Sequence, residues 1–213
     1  MRYATMQAID FARSEHARVG YLTDPERLAH AWGVRIIPGK RSSAHAGPPS
    51  IITLQRDAYA PRQRFTTHHE LAHILVQRSL QERAILAEVD EDDAHAHLEA
   101  VVNYIAAMLV MPDTLIEKAF DMFGVHPETI LTIQHIAGVS LAAALRRFTY
   151  AHLDHPITTL LTSGPFLIDL ASTDPYNPFT RYQRLPDIGV LAPHAQVLTL
   201  PSTHRRTLAV LSV

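Results

Sequence analysis

The chain has 213 residues, of which 47% are hydrophobic and 19% charged, with a formal net charge of −2 and no cysteine. That length suits one well-buried domain, or a domain with a small appendage, and the composition is globular rather than disordered or fibrous. The near-neutral balance excludes a broad basic field for nucleic acid or anionic membrane, and the lack of cysteine excludes disulfides and thiolate ligands, leaving any metal to His, Asp or Glu.

Met6, Ile9, Phe11, Ala12 and Val19 recur at helical spacing and predict a first helix. Asp10 and Glu15 interrupt any apolar run of the kind a secretion signal needs, so the expectation is a cytoplasmic protein. After Gly20, Thr23-Asp24-Pro25-Glu26 reads as a capped start with Pro early in a second helix, which ends near Gly33. Val34 to Ile37 and Ser50 to Leu54 read as short strands, separated by a loop from Pro38 to Pro49. Ile51 to Leu54 is the candidate sheet edge for an extended substrate, because backbone pairing at an edge binds without regard to sequence.

No Pro or Gly interrupts Arg62 to Ser79, and Phe65, Leu71, Ala72, Leu75 and Val76 recur near helical spacing. Within this helix lies His69-Glu70-Leu71-Ala72-His73. At about 100° per residue the two imidazoles stand about 40° apart on one face, while Glu70 is turned to a neighbouring face, free to act as a base. The chain is rich in histidine, with 14 of them, yet the chance expectation for this pattern is roughly 0.04 matches. The pattern therefore reads as two metal ligands and a catalytic carboxylate.

The acidic run Glu88, Asp90, Glu91, Asp92 and Asp93 reads as a solvated loop or frayed helix start, without the Gly-centred pattern of a calcium loop. Ala94 to Met111 is a strongly apolar helix with Asn103 and Tyr104 inside it, and its apolar part is too short to cross a bilayer. Asp113 to Phe123, Pro127 to Ala137 and Ser140 to Ala151 are further helices, and beyond Pro156 the texture turns to short β-type runs: Thr158 to Leu161, Phe166 to Leu170, Val197 to Leu200 and Leu208 to Val213.

Two histidines hold zinc weakly, so a third ligand is required. His95, His97 and Glu99 are the downstream candidates, and context favours Glu99, since a carboxylate opening a core-bound helix needs a charge partner or a metal. His95, one turn earlier on the same face, stands second. Asn103, one turn beyond Glu99, could orient a ligand imidazole. His68 turns away from His69 and reads as packing or substrate-lining, and Tyr104 and His126 are candidate donors to an oxyanion.

Two segments, Arg64-Phe65-Thr66-Thr67-His68-His69-Glu70-Leu71-Ala72-His73-Ile74-Leu75 and Glu99-Ala100-Val101-Val102-Asn103-Tyr104-Ile105-Ala106-Ala107-Met108-Leu109-Val110-Met111-Pro112, resemble the ImmA/IrrE family of metallopeptidases. The resemblance covers about residues 1–150 and implies a zincin-like core over residues 1–123 and a helix-turn-helix-like region over 124–155; with the β-type runs after Pro156 read as a β-rich C-terminal appendage over 156–213, the expected fold is α+β. It implies His69, His73 and Glu99 as the metal ligands and Glu70 as the catalytic carboxylate; the ion expected from the donor set is zinc, with manganese as the alternative. It further implies a protein substrate, a helix-turn-helix repressor of the Xre type, whose cleavage releases DNA-damage or mobile-element genes. Some relatives continue into a GAF-like sensory domain, for which the stretch after Pro156 is too short. A second reading, a DNA-binding regulator with a structural metal, rests on Gly138-Val139-Ser140-Leu141 with Arg146 and Arg147. A third is a noncatalytic protein that sequesters the repressor.

Overall fold

The structure, a computed structural model, describes residues 2–55, 60–152, 155–185, 187–201 and 205–212, and Val213, at the end of the last predicted strand, lies outside them. The fold is α+β and forms two compact units, Met1–Pro112 and Asp113–Val213.

The first unit runs α1 (Tyr3–Arg18), α2 (Pro25–Ala31), β1 (Val34–Gly39), β2 (Ser43–His45), β3 (Ser50–Gln55), α3 (Ala60–Arg78), α4 (Glu82–Leu86) and α5 (Glu91–Val110). The Asp24 carboxylate accepts the Arg27 amide at 2.9 Å and Pro25 opens α2, so that helix starts where its capping residues require. Gly33 then takes φ +63°, a left-handed turn that favours glycine, and delivers the chain into β1. The sheet order is β1-β3-β2, with β1 parallel and β2 antiparallel to β3. The expectation of an edge at Ile51 to Leu54 is therefore corrected: β3 is central, paired on both sides, and buries Ile52 and Leu54. The edge is β2, inside the stretch read as a loop, where Ala44 pairs with Ile52. Its three residues, Ser-Ala-His, carry no β-branched pattern, and pairing to β3 makes them a strand.

Helices α3 and α5 pack against each other and carry most of the core, with Leu71, Ile74 and Leu75 facing Val102, Ile105 and Leu109, all at most 1% exposed. Each such side chain stabilises the fold by about 1.5–3 kcal/mol. Helix α1 lacks a local side-chain cap, and a distant residue supplies one. The Glu88 carboxylate accepts the Ala4 amide at 2.6 Å, the Thr5 amide at 3.1 Å and the Thr5 hydroxyl at 2.5 Å, and His97 Nε2 lies 3.1 Å away. Burial pushes this carboxyl up, but the bonds from the Thr5 hydroxyl, His97 and the two amides outweigh it, and the net shift is below the ordinary value. The acidic run is thus divided. Asp90, Glu91, Asp92 and Asp93 start α5 at its positive end, as one of the two expected forms, whereas Glu88 departs from the solvated reading by capping α1.

The second unit contains α6 (Asp113–Phe123), α7 (Pro127–Ala137), α8 (Leu141–Ala151), β4 (Ile157–Ser163), β5 (Phe166–Ser172), α9 (Ile188–Leu191), β6 (Gln196–Thr199) and β7 (Arg206–Ser212). Its antiparallel sheet has the order β5-β4-β7-β6, and α8 packs on β4 and β5. Gly138 at φ +63° closes α7, Ser140 caps α8 by accepting the Ala143 amide at 3.2 Å, and the two helices bend by 119°. Arg147, its side chain 2% exposed, pairs with Asp113, while buried Asp169 receives Arg146 at 2.6 Å and Arg181 at 2.9 Å. Among the described residues, no single helix is long and apolar enough to cross a membrane.

Candidate metal centre

His69 and His73 stand one turn apart on α3, their ring centroids 4.9 Å apart and their planes at 77°. Opposite them, α5 brings Glu99, with Oε2 3.4 Å from His69 Nε2 and Oε1 3.4 Å from His73 Nε2. One donor atom from each of the three lies within 4.8 Å of the others. A tetrahedral ion with bonds near 2.05 Å sets its ligand atoms about 3.3 Å apart, so the observed 3.4 Å separations and the imidazole and carboxylate donors fit one first-row divalent ion. The reason first given for Glu99 does not hold, because its side chain is 50% exposed, not core-bound. It faces the two histidines because its helix packs along α3.

Glu70, on the same helix as the histidines, is only 6% exposed. Burial first, and the Glu99 charge second, push its carboxyl up to about 7. Burial and the neighbouring His69 ring lower the pKa of His73 against the opposing pull of Glu99, which favours the neutral, ligating form. Behind the site, the Asn103 side-chain oxygen lies 3.1 Å from His69 Nδ1. Asn103 itself is exposed, not buried.

The other candidates go elsewhere. His68 is buried, with Nδ1 2.9 Å from the Arg64 carbonyl and Nε2 3.1 Å from the Thr23 carbonyl, and tethers α3 to the segment before α2. His95 is exposed beside Arg83 and Glu91 on a separate concavity between α4 and α5. His97 joins Glu88 and Thr5. The Tyr104 hydroxyl accepts from Arg13 at 3.4 Å, toward α1, and His126 pairs with Glu128 in the second unit.

The cleft, of about 400 Å³, is lined by Ser42, Ser43 and Ala44 as well as by His69, Glu70, His73, Gln77, Glu82 and Glu99. The reading of the sequence did not single out the three β2-side residues, Gln77 or Glu82. For Gln77 a signal existed, since it stands one turn beyond His73 on the same face of α3. Its Oε1 accepts the Ala46 amide at 2.9 Å and so ties the β2–β3 connection to the metal-site helix.

Two imidazoles and a carboxylate from adjacent helices, with a second carboxylate beside them and a sheet edge along the cleft, make a donor set of the kind that metallopeptidases use. The chain belongs to the Peptidase M78 family, whose model, the IrrE N-terminal-like domain, matches residues 32–149. That family implies a metal cofactor.

Among curated proteins, the chain is similar to the radiation response metalloprotease IrrE of Deinococcus deserti, at 30% identity over 111 residues, 50% of this chain and 38% of that protein. The radiation response metalloprotease IrrE of Deinococcus radiodurans matches at 28% over 115 residues, 52% of this chain and 34% of that protein. The chain thus spans well under half the length of these relatives. Among solved structures, a Mycobacterium tuberculosis transcriptional regulator shares the fold with a TM-score of 0.57 at 12% identity, over 96% of this chain and 75% of that one.

Proposed function

We propose that this chain is a cytoplasmic zinc-dependent endopeptidase that cleaves a helix-turn-helix repressor of the Xre type, and so releases DNA-damage or mobile-element genes. The observation that carries the hydrolytic part is the meeting of His69, His73 and Glu99 donor atoms at one point, with Glu70 beside them and not among them. The similarity to radiation response metalloproteases supports the peptidase class. The repressor follows from the family resemblance of the two motif segments.

When bound, zinc supplies Lewis acidity, and the same donor set accepts manganese. His69 and His73 would hold the ion through Nε2 and Glu99 through a carboxylate oxygen. An extended peptide lies along β2, where backbone pairing holds it without regard to side chains. Glu70, with its affinity for a proton near neutrality, takes one from the attacking water and gives it to the leaving nitrogen as the peptide C–N bond breaks.

The DNA-binding reading lacks support in α8, whose Arg146 and Arg147 are committed to Asp169 and Asp113. The sequestering reading gives Glu70 no task. The test is incubation of the chain, loaded with zinc or manganese, with the helix-turn-helix regulator encoded nearest to it, followed by fragment masses. Fragments with the wild type and none with Glu70→Gln are expected. A regulator left intact in every metal state would remove it as the substrate.

A further inference from the structure

The metal-site cleft holds one carboxylate that neither the donor set nor the proton transfer uses. Glu82 lines it together with Glu70 and Glu99, and among the described residues no Lys or Arg lines it with them. Leaving α3 after Arg78, the chain passes Leu80 at φ +60° and turns, so that the first residue of α4, Glu82, borders the same cleft as His69 and His73. Glu82 is half-buried and makes no hydrogen bond or ion pair with any described residue.

An acidic residue in the first turn of a helix is favoured by the dipole wherever it points, so the start of α4 explains the sign of Glu82 and not its direction. The opposite charge beside it in the chain does not neutralise the cleft. Arg83, about 100° further round the helix, lines the separate concavity between α4 and α5 with Leu86 and His95. Along α3, Gln77 lies about 6 Å beyond His73, and Glu82 follows it in the chain at that end of the cleft. An extended peptide advances about 3.3 Å per residue, so a side chain that meets Glu82 belongs to a residue about two positions from the one at His73.

We propose that Glu82 determines specificity: its carboxylate receives a lysine or arginine of the substrate about two positions from the scissile bond, so that the cleft selects basic extended segments and rejects acidic ones. The proposal rests on the peptidase reading and names the substrate chemistry at that same site. A carboxylate facing an ammonium or guanidinium accepts a charge-assisted hydrogen bond, and the same carboxylate repels an acidic side chain, so the choice has an attractive and a repulsive part. Backbone pairing at β2 holds a peptide without regard to sequence, and Glu82 adds the selection. A DNA-binding substrate suits such a cleft, because proteins that bind duplex neutralise its phosphates with lysine and arginine.

The test exposes the zinc-loaded full chain to a random decapeptide library and reads retention and cleavage separately. For retention, Glu70→Gln is immobilised and the peptides it holds are sequenced by mass. Lysine and arginine are expected to be enriched about 5-fold over aspartate and glutamate at low salt. In that background Glu82→Gln is expected to abolish the enrichment and Glu82→Lys to reverse it. Asp121→Lys, which makes the same charge change at an exposed position of the second unit, is expected to leave it as it was. For cleavage, wild type digests the library, and lysine or arginine is expected about two positions from the cut on one side. Retention without a charge preference, no retention at all, or a preference that survives Glu82→Gln or is lost equally in Asp121→Lys would overturn the proposal. If Glu82→Lys fails to fold, Glu82→Gln decides alone. Cuts with no basic residue near them overturn the proposal and leave the peptidase reading intact, whereas Glu82-dependent retention with no cut in any peptide supports selection by Glu82 and counts against that reading.

Discussion

Glu70 and Glu99 are both carboxylates in one cleft, and their surroundings divide their labour. Glu99 reaches the two imidazoles and stays half exposed, while Glu70 is buried and its carboxyl is pushed up to about 7. Replacing Glu70 with Gln is expected to leave zinc stoichiometry unchanged, measured by elemental analysis, while cleavage falls by at least about 100-fold. Retained cleavage would remove Glu70 from the chemistry. Glu88 works on stability instead. Glu88→Gln weakens the cap on α1 and is expected to cost about 1 kcal/mol at pH 7 by urea denaturation. Because the folded-state pKa of Glu88 lies below its ordinary 4.5, the charged cap contributes its stability above that value and loses it as pH falls through the folded pKa. The wild-type and variant stabilities should therefore converge as pH drops below 4.5, and a gap that persists there would contradict the charged-cap account. The histidine pair was legible in the sequence because helical spacing fixes it locally. Glu88 was not, since its partners at Ala4 and Thr5 are more than 80 positions away and no local pattern joins them.

At the scale of elements, long periodic segments were legible, while some of the shortest elements were not. The helices expected at Asp113 to Phe123 and Pro127 to Ala137 have those bounds, because Pro, Gly and apolar spacing punctuate them. Strand β2 and helix α4 escaped notice, being three and five residues long, too short for a period to register. Strand β2 matters most for function, since it borders the cleft and Gln77 ties its connection to α3. Gln77→Ala is expected to raise KM more than it lowers kcat in a peptide-cleavage assay, with zinc affinity retained. A loss of zinc would show instead that Gln77 acts through the ligands. In the second unit, the Arg147–Asp113 pair joins α8 to the start of α6, with the guanidinium buried. Asp113→Ala removes one partner of that buried charge and is expected to cost about 1–3 kcal/mol in chemical denaturation. A change near zero would mean that the pair contributes nothing to stability.

At the scale of the whole molecule, the family match over residues 32–149 extends beyond the first compact unit into the helices of the second. A metal would link site to fold, because an ion held by α3 and α5 would bind the folded chain and not the unfolded one. Zinc at 100 times its dissociation constant is expected to add about 2.7 kcal/mol of stability, raising the melting temperature, with reversal by a chelator and no response in His73→Ala. The overall α+β class was readable from the helical and β-type segments together with the family resemblance. The meeting of the three donors was only half readable: Glu99 stood out as a carboxylate opening an apolar helix, yet the packing of α5 along α3, not burial of Glu99, brings it to the site. The most direct measurement is anomalous diffraction at the zinc absorption edge from crystals of the loaded protein. The account expects one peak per chain, about 2.0–2.2 Å from His69 Nε2, His73 Nε2 and a Glu99 carboxylate oxygen, with Glu70 unbound. A peak held by other residues, or none at these three, would contradict it.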